Sequence, residues 1–135
     1  MFDLIILLDG KSYFKRSELI SSLKLQHSDN HPEEELYSKG DNKNCLFAYF
    51  TKDLNDYSDD DYAVIPYKVS GVCHLTFYPF ELINEILYSI AQFNSELFVD
   101  DDHGNILGVC DYKILAGKKK VYPYTYHSSA KNQAN

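Results

Sequence analysis

The chain has no tryptophan, one methionine and three cysteines among its 135 residues. Cys45, Cys73 and Cys110 are far apart, odd in number and without a CxxC pair, which argues against a disulfide framework or a zinc knuckle. Each sits in an apolar stretch ("CLFAYF", "GVCHLTF", "LGVCDY"), so all three read as buried reduced thiols. No apolar run approaches the roughly 18 residues that span a bilayer. The start, "MFDLIILLDG", lacks a basic n-region and carries Asp3; it reads as a buried strand rather than a signal peptide, with the cytosol as the expected location. GxxxxGK[ST] and GxGxxG loops, a GxSxG elbow and an HExxH pair are also missing, so no cofactor, metal or nucleophilic chemistry is expected on motif grounds.

What is present is apolar side chain. At 44% hydrophobic, the chain can build a real core, and its length suits one domain. Residues 2–9 read as a central strand buried on both faces. In "GKSYFKRSELISSLKLQ", Ser12 can cap a helix whose stripe is Phe14, Leu19, Ile20 and Leu23. Residues 27–44 have no apolar period and read as a long loop. Residues 45–54 are strand-like and aromatic, and 62–79 read as two strand runs broken near Ser70-Gly71. Pro66 marks the first of these as an edge strand or a bulge.

Residues 79–95 are the clearest helix. Pro79 suits the first turn, Phe80, Ile83, Leu87 and Ile90 share a face, and Asn94 is a natural stop. "ELFVD" and "NILGVCDYKIL" read as two more strands around a turn. The expected order is β-α-β-β-β-α-β-β: an α+β fold with a sheet of five to six strands and two helices on one face, of split βαβ kind. The domain is expected to span residues 1–117, followed by a basic, tyrosine-containing tail at 118–135 that frays towards its end.

Two stretches invite a chemical reading. In "SELFVDDDHGNILG", residues 95–108, the spacing fails the calcium-loop pattern: counted from Asp100, glycine falls at the fifth position and Asp111 stands where a glutamate is needed. Gly104-Asn105 instead suits a tight turn, with the carboxylates as rim candidates for a basic partner. Asp102 and His103 lack a neighbouring nucleophile for acid/base work. "HSDNHPEEE" sets His27 and His31 four apart, but Pro32 and Asp29-Asn30 oppose the helix that a zinc pair requires. His74, in a strand run, reads as a hydrogen-bonded core or sheet-face residue rather than a ligand.

Charge supplies the strongest functional signal. The net charge is −7. Residues 29–62 hold ten acids and three lysines, whereas 118–135 hold four lysines and no acid. An acidic domain repels phosphate backbones, so nucleic acid is disfavoured as a partner. Around residue 55 acids interleave with aromatics. Asp53, Asp56, Tyr57, Asp59, Asp60, Asp61 and Tyr62, with Glu33, Glu34 and Glu35, are the expected contacts for a basic protein partner.

The pattern "YPFELINEILYSIAQFNSELFVDDDHGNILG", residues 78–108, resembles small immunity proteins of bacterial polymorphic toxin and contact-dependent inhibition systems. It is a pattern of residue classes, so no functional residue carries over from it. The resemblance implies a small, acidic, cytosolic protein, not an enzyme, that neutralises a cognate toxin by binding it. Two other expectations stand beside this one. One is a small enzyme or ligand-binding domain using His74, His103 or the carboxylates near residue 100. The other is an adaptor that adds a strand through the Pro66 edge.

Overall fold

The apolar run after Met1 forms strand β1, Phe2–Leu8. The computed structural model describes residues 1–29, 34–55 and 57–125. From β1 the chain runs through helices α1 (Gly10–Phe14) and α2 (Arg16–Ser22) to strands β2 (Gln26–His27), β3 (Leu36–Gly40) and β4 (Cys45–Thr51). Helix α3 (Asp59–Ala63) precedes β5 (Gly71–Tyr78). A 3₁₀ turn, Phe80–Leu82, leads into α4 (Ile83–Phe93), then β6 (Phe98–Asp100), β7 (Ile106–Gly108) and α5 (Val109–Gly117). Among the described residues the seven strands form one sheet in the order β2-β3-β4-β5-β1-β6-β7, and every neighbouring pair is antiparallel. Helical connections out of β1 and out of β5 place β1 between β5 and β6.

Alternation divides the sheet into two unlike faces. Leu4, Ile6 and Leu8 of β1 turn one way, with Leu46, Ala48 and Phe50 of β4, Cys73, Leu75 and Phe77 of β5, and Val99 of β6. They pack against Leu19 of α2, Ile83, Ile86, Leu87 and Ile90 of α4, and Val109, Tyr112 and Ala116 of α5. Gly71 lets the Tyr13 ring lie directly on the β5 backbone: a Cβ there would meet that ring at 2.3 Å. The other face is covered only in part. Leu7 and Val72 are buried beneath Ile65 and Val69, with Leu54, Tyr57, Tyr62 and Tyr67 packed around them, all from the β4–β5 connection. The Tyr67 hydroxyl clips this connection down. It donates to the Leu7 carbonyl and accepts the Phe98 N–H at 2.8 Å.

The fold is α+β as expected, but the counts differ: seven strands and five α-helices among the described residues. The helix expected from Ser12 is two helices. Asp9 provides the cap, accepting the Ser12 N–H at 2.7 Å, and the chain breaks at Lys15. That break shifts the helical phase and leaves Phe14 82% exposed rather than in the stripe. The stretch read as a long loop contains β3, a strand of half-buried residues held by its ladder to the aromatic β4. Residues 62–69 are not a strand. The Ser58–Asp61 capping box starts α3 instead, and no Pro66 edge exists for strand addition. Residues 109–117 are helical; their apolar run, read as a strand, has no decisive period, and packing against α4 selects the helix. Pro79 stands just before the 3₁₀ turn, and Asn94 ends α4 as its C-cap. β1 is central, yet it is buried on both faces only near its end: Asp3 is exposed and Ile5 half-buried.

All three cysteines are free; Cys45 and Cys73 are buried, whereas Cys110 is exposed on α5. Packing continues past Gly117. Val121 is fully buried, and the Tyr124 ring meets Phe80 edge-on at 5.4 Å. Residues 126–135 of the expected tail lie outside the described residues.

Burial pushes the Tyr67 phenol up to about 12. Folding thus favours its neutral form. That contribution is full below the ordinary tyrosine value of 10.0 and is lost as pH rises through about 12. Tyr67→Phe removes both hydrogen bonds and strands a backbone N–H. Urea denaturation at pH 7 is expected to show a loss of about 1–3 kcal/mol. The variant's stability should also fall less than the wild type's across the alkaline range.

Candidate functional site

The partial cover of the second face leaves two rungs of the sheet open. In the first, Leu36, Tyr49, His74, Ile5, Asp100 and Ile106 stand side by side on β3, β4, β5, β1, β6 and β7. In the second, Ser38, Phe47, Thr76 and Asp3 follow on β3, β4, β5 and β1. The next rung in the opposite direction holds Val72, Leu7 and Phe98, and is the one that Tyr67 and its neighbours cover.

The open rungs have two chemical halves. Over β5, β1 and β6 lies a cleft of about 610 Å³ whose lining includes Asp3, Ile5, His74 and Asp100. Asp61 from α3 and Asp102 from the β6–β7 turn close its sides. Over β3 and β4 lies a shallower hollow of about 210 Å³, walled by Leu36, Phe47 and Tyr49. His74 belongs to both and joins them. Its ring is stacked with Tyr49, centroids 6.4 Å apart. Phe47 and Tyr49 are 48% and 42% exposed, so the hollow presents aromatic surface to solvent.

The carboxylates are held by local bonds. Thr76 donates to Asp3 Oδ1 at 3.0 Å. Asp100 accepts the Asp102 N–H at 2.8 Å on one oxygen and the Tyr57 hydroxyl at 2.9 Å on the other. Asp61 accepts the Ser58 N–H at 2.8 Å in the capping box. Among the described residues, the cleft lining carries these four acids and no lysine or arginine. Strands lie about 4.8 Å apart, so His74 on β5 and Asp100 on β6 are about 10 Å apart, beyond direct hydrogen bonding. The Tyr57 phenol is given to Asp100. The arrangement therefore offers a preformed seat for cationic groups and no activated nucleophile beside His74.

In the 95–108 stretch the three carboxylates have separate tasks. Asp101 is only 2% exposed and accepts from the N–H groups of His103 and Asn105, the Asn105 side chain and the Tyr112 hydroxyl. Burial, then the nearby Asp101, pushes the Tyr112 phenol well up, so that hydroxyl stays a donor. Asp102 and Gly104 take positive φ of 59° and 93°, and the tight turn follows. Asp100 and Asp102 face the cleft. His103 stacks on Tyr122 at 3.8 Å. Val99 turns to the core opposite Leu107, while Ile106 lies on the open face opposite Asp100.

The other expected partner residues are dispersed. Asp61 and Tyr57 line the cleft, and Asp59 and Asp60 are exposed in the first turn of α3. Tyr62 packs against Tyr57 at 5.9 Å. Asp53 is exposed and binds the Asn55 N–H at 3.0 Å. Glu35 is instead in an intramolecular ion pair, accepting from Arg16 at 3.0 and 3.2 Å and from the Tyr37 hydroxyl at 3.1 Å. Glu34 is exposed; its carbonyl meets His27 Nε2 at 2.7 Å. Glu33, Asp56 and His31 lie outside the described residues. Asp3, Ile5 and Phe47 escaped the sequence reading. The available signal was Asp3 alternating with Ile5 in an otherwise buried strand, but only the register brings Asp3 beside His74 and Asp100. Burial pushes the Cys73 thiol up, far from a reactive thiolate.

Comparison with known proteins returns no match: no family model, no curated protein and no solved structure is significantly similar to this chain. Among the described residues, no group of three or more His, Cys, Asp or Glu side chains is arranged to hold a metal ion, and no helix is long and apolar enough to cross a membrane.

Two predictions separate structural from exposed acids. Asp101→Ala strands the buried Tyr112 hydroxyl and the turn N–H groups, and should cost about 2–4 kcal/mol in urea denaturation; Asp102→Asn should stay within about 0.5 kcal/mol. The hydrogen bond from Arg16 holds the Glu35 carboxyl below its ordinary value of 4.5. Its contribution is therefore present above that value and is lost as pH falls through the lowered one. Because the pair is about one-third exposed, Glu35→Gln should cost at most about 1 kcal/mol at pH 7, with the difference fading as pH falls below the ordinary carboxyl value.

Proposed function

We propose that this chain is a non-catalytic protein-binding module, an immunity protein that neutralises a cognate bacterial toxin in the cytosol by occluding its basic active-site surface. The observation that carries the reading is the open sheet face: Asp3, Asp61, Asp100 and Asp102 around one cleft that, among the described residues, has no lysine or arginine in its lining, beside exposed Phe47 and Tyr49. Aromatic anchors next to a field of one sign suit a protein partner of the opposite sign. A nuclease toxin must carry a positive cleft to hold phosphates, and carboxylates compete for that cleft. Asp59 and Asp60 of α3 extend the negative field beyond the cleft. The net charge of −7 disfavours nucleic acid itself as the partner.

A second reading, a small enzyme or ligand-binding domain using His74, His103 and the carboxylates at 100–102, is favoured by one observation. The cleft volume of about 610 Å³ falls in the range of small-molecule sites. Against it stand the stacking of His103 on Tyr122 and the structural duty of Asp101. The first reading uses more of the open face.

The test is to purify the chain with the product of the gene directly upstream of its own. A stoichiometric complex on size exclusion, and protection of cells expressing that product, are expected; neither appearing refutes the reading. Asp59→Lys with Asp60→Lys should lower the association rate about tenfold at low salt and flatten its salt dependence. Unchanged kinetics would remove α3 from the interface.

A further inference from the structure

Resting on the protein-binding reading, we propose that the open face seats an arginine-bearing segment of the partner, with one guanidinium lodged over Ile5. The sheet register carries the argument. Ile5 pairs with His74 on one side and with Asp100 on the other, and Asp3 stands two residues along the same strand and face. A group over Ile5 therefore has an apolar floor, carboxylates on two sides and an imidazole on the third. All four side chains line the same cleft. Neighbouring positions are about 5–7 Å apart, which a guanidinium with its fork of donors can bridge.

The floor selects arginine over lysine. A guanidinium is planar and weakly hydrated, so it lies flat on an aliphatic side chain or a ring, and it reaches two carboxylates at once. A lysine ammonium is a compact, strongly hydrated point charge that loses water over Ile5 without gaining the second fork. The seat is also preorganised. Thr76 holds one oxygen of Asp3, while Tyr57 and the Asp102 N–H hold Asp100. Each carboxylate oxygen keeps a second lone pair for an incoming donor, and little side-chain freedom is lost on binding. The hollow beside it, with Phe47 and Tyr49, is mainly apolar and shares His74 with the cleft. The complementary segment therefore alternates arginine with apolar residues.

The probe is a capped peptide of alternating leucine and arginine, with lysine and citrulline versions as controls, titrated into the isotope-labelled full chain. Amide shifts are expected at Asp3, Ile5, Phe47, Tyr49, His74 and Asp100. Affinity should drop about fivefold for lysine and at least about tenfold for citrulline. Asp3→Asn with Asp100→Asn should weaken the arginine peptide about tenfold, and Phe47→Ser about threefold. Equal affinity for the three peptides, shifts confined to α4 and α5, or no binding at all would each overturn the seat. The two proposals fail separately. A toxin complex indifferent to the Asp3/Asp100 variant removes the seat and leaves the immunity reading. Arginine-selective binding with no toxin complex leaves the seat and removes the immunity reading.

Discussion

Everything in this molecule depends on β1 being paired on both edges while only half of its outer face is covered. Its backbone binds β5 along all seven residues and β6 along three. On the helical side Leu4, Ile6 and Leu8 are fully buried, and their removal from water anchors the core. On the outer side Leu7 is buried by the β4–β5 connection, Ile5 is partly covered and Asp3 is exposed. The same strand thus passes from core to open site within five residues. The Tyr67 clip marks the boundary, tying the connection to β1 and β6 at the rung where cover ends.

That boundary explains how charge is distributed. Helices α2, α4 and α5 cover the apolar face, and the cleft acids lie on the other: Asp3 on β1, Asp100 on β6, Asp102 in the turn and Asp61 on α3. Asp101 is instead buried, satisfied by four donors that fix the turn. A rigid turn aims Asp100 and Asp102 into the cleft. The capping box does the same for Asp61 from the other side. Bonds that look purely structural therefore hold the carboxylates at fixed positions, which is what a binding face needs.

Legibility followed the strength of local pattern. β1, β4 and α4 were readable because their apolar positions have an unambiguous run or period, and the α+β class follows from them. β3 was not: "LYSKG" has no alternation of its own, and its ladder to β4 makes it a strand. α5 was misread because its run is apolar on nearly every side, and periodicity does not separate helix from strand there. α3 has a capping box, Ser58 with Asp61, within a stretch whose acids read as a loop and whose following residues, from Tyr62, read as a strand. Of the expected contacts, Asp61 and Tyr57 reach the cleft, Glu35 is consumed by Arg16, and Tyr62 mostly packs against Tyr57.

Composition alone determined that this chain is acidic, able to form a core and without familiar catalytic motifs, because those properties are sums or local strings. Local residue order also determined the turn at 100–105, where Gly104 and the aspartates leave the backbone few choices. Only the tertiary structure decided that Asp3, His74 and Asp100 share a cleft. They are separated by long stretches of chain, and antiparallel register across β5, β1 and β6 is what aligns them. Register depends on which face each strand buries, and that is set by the whole sheet at once.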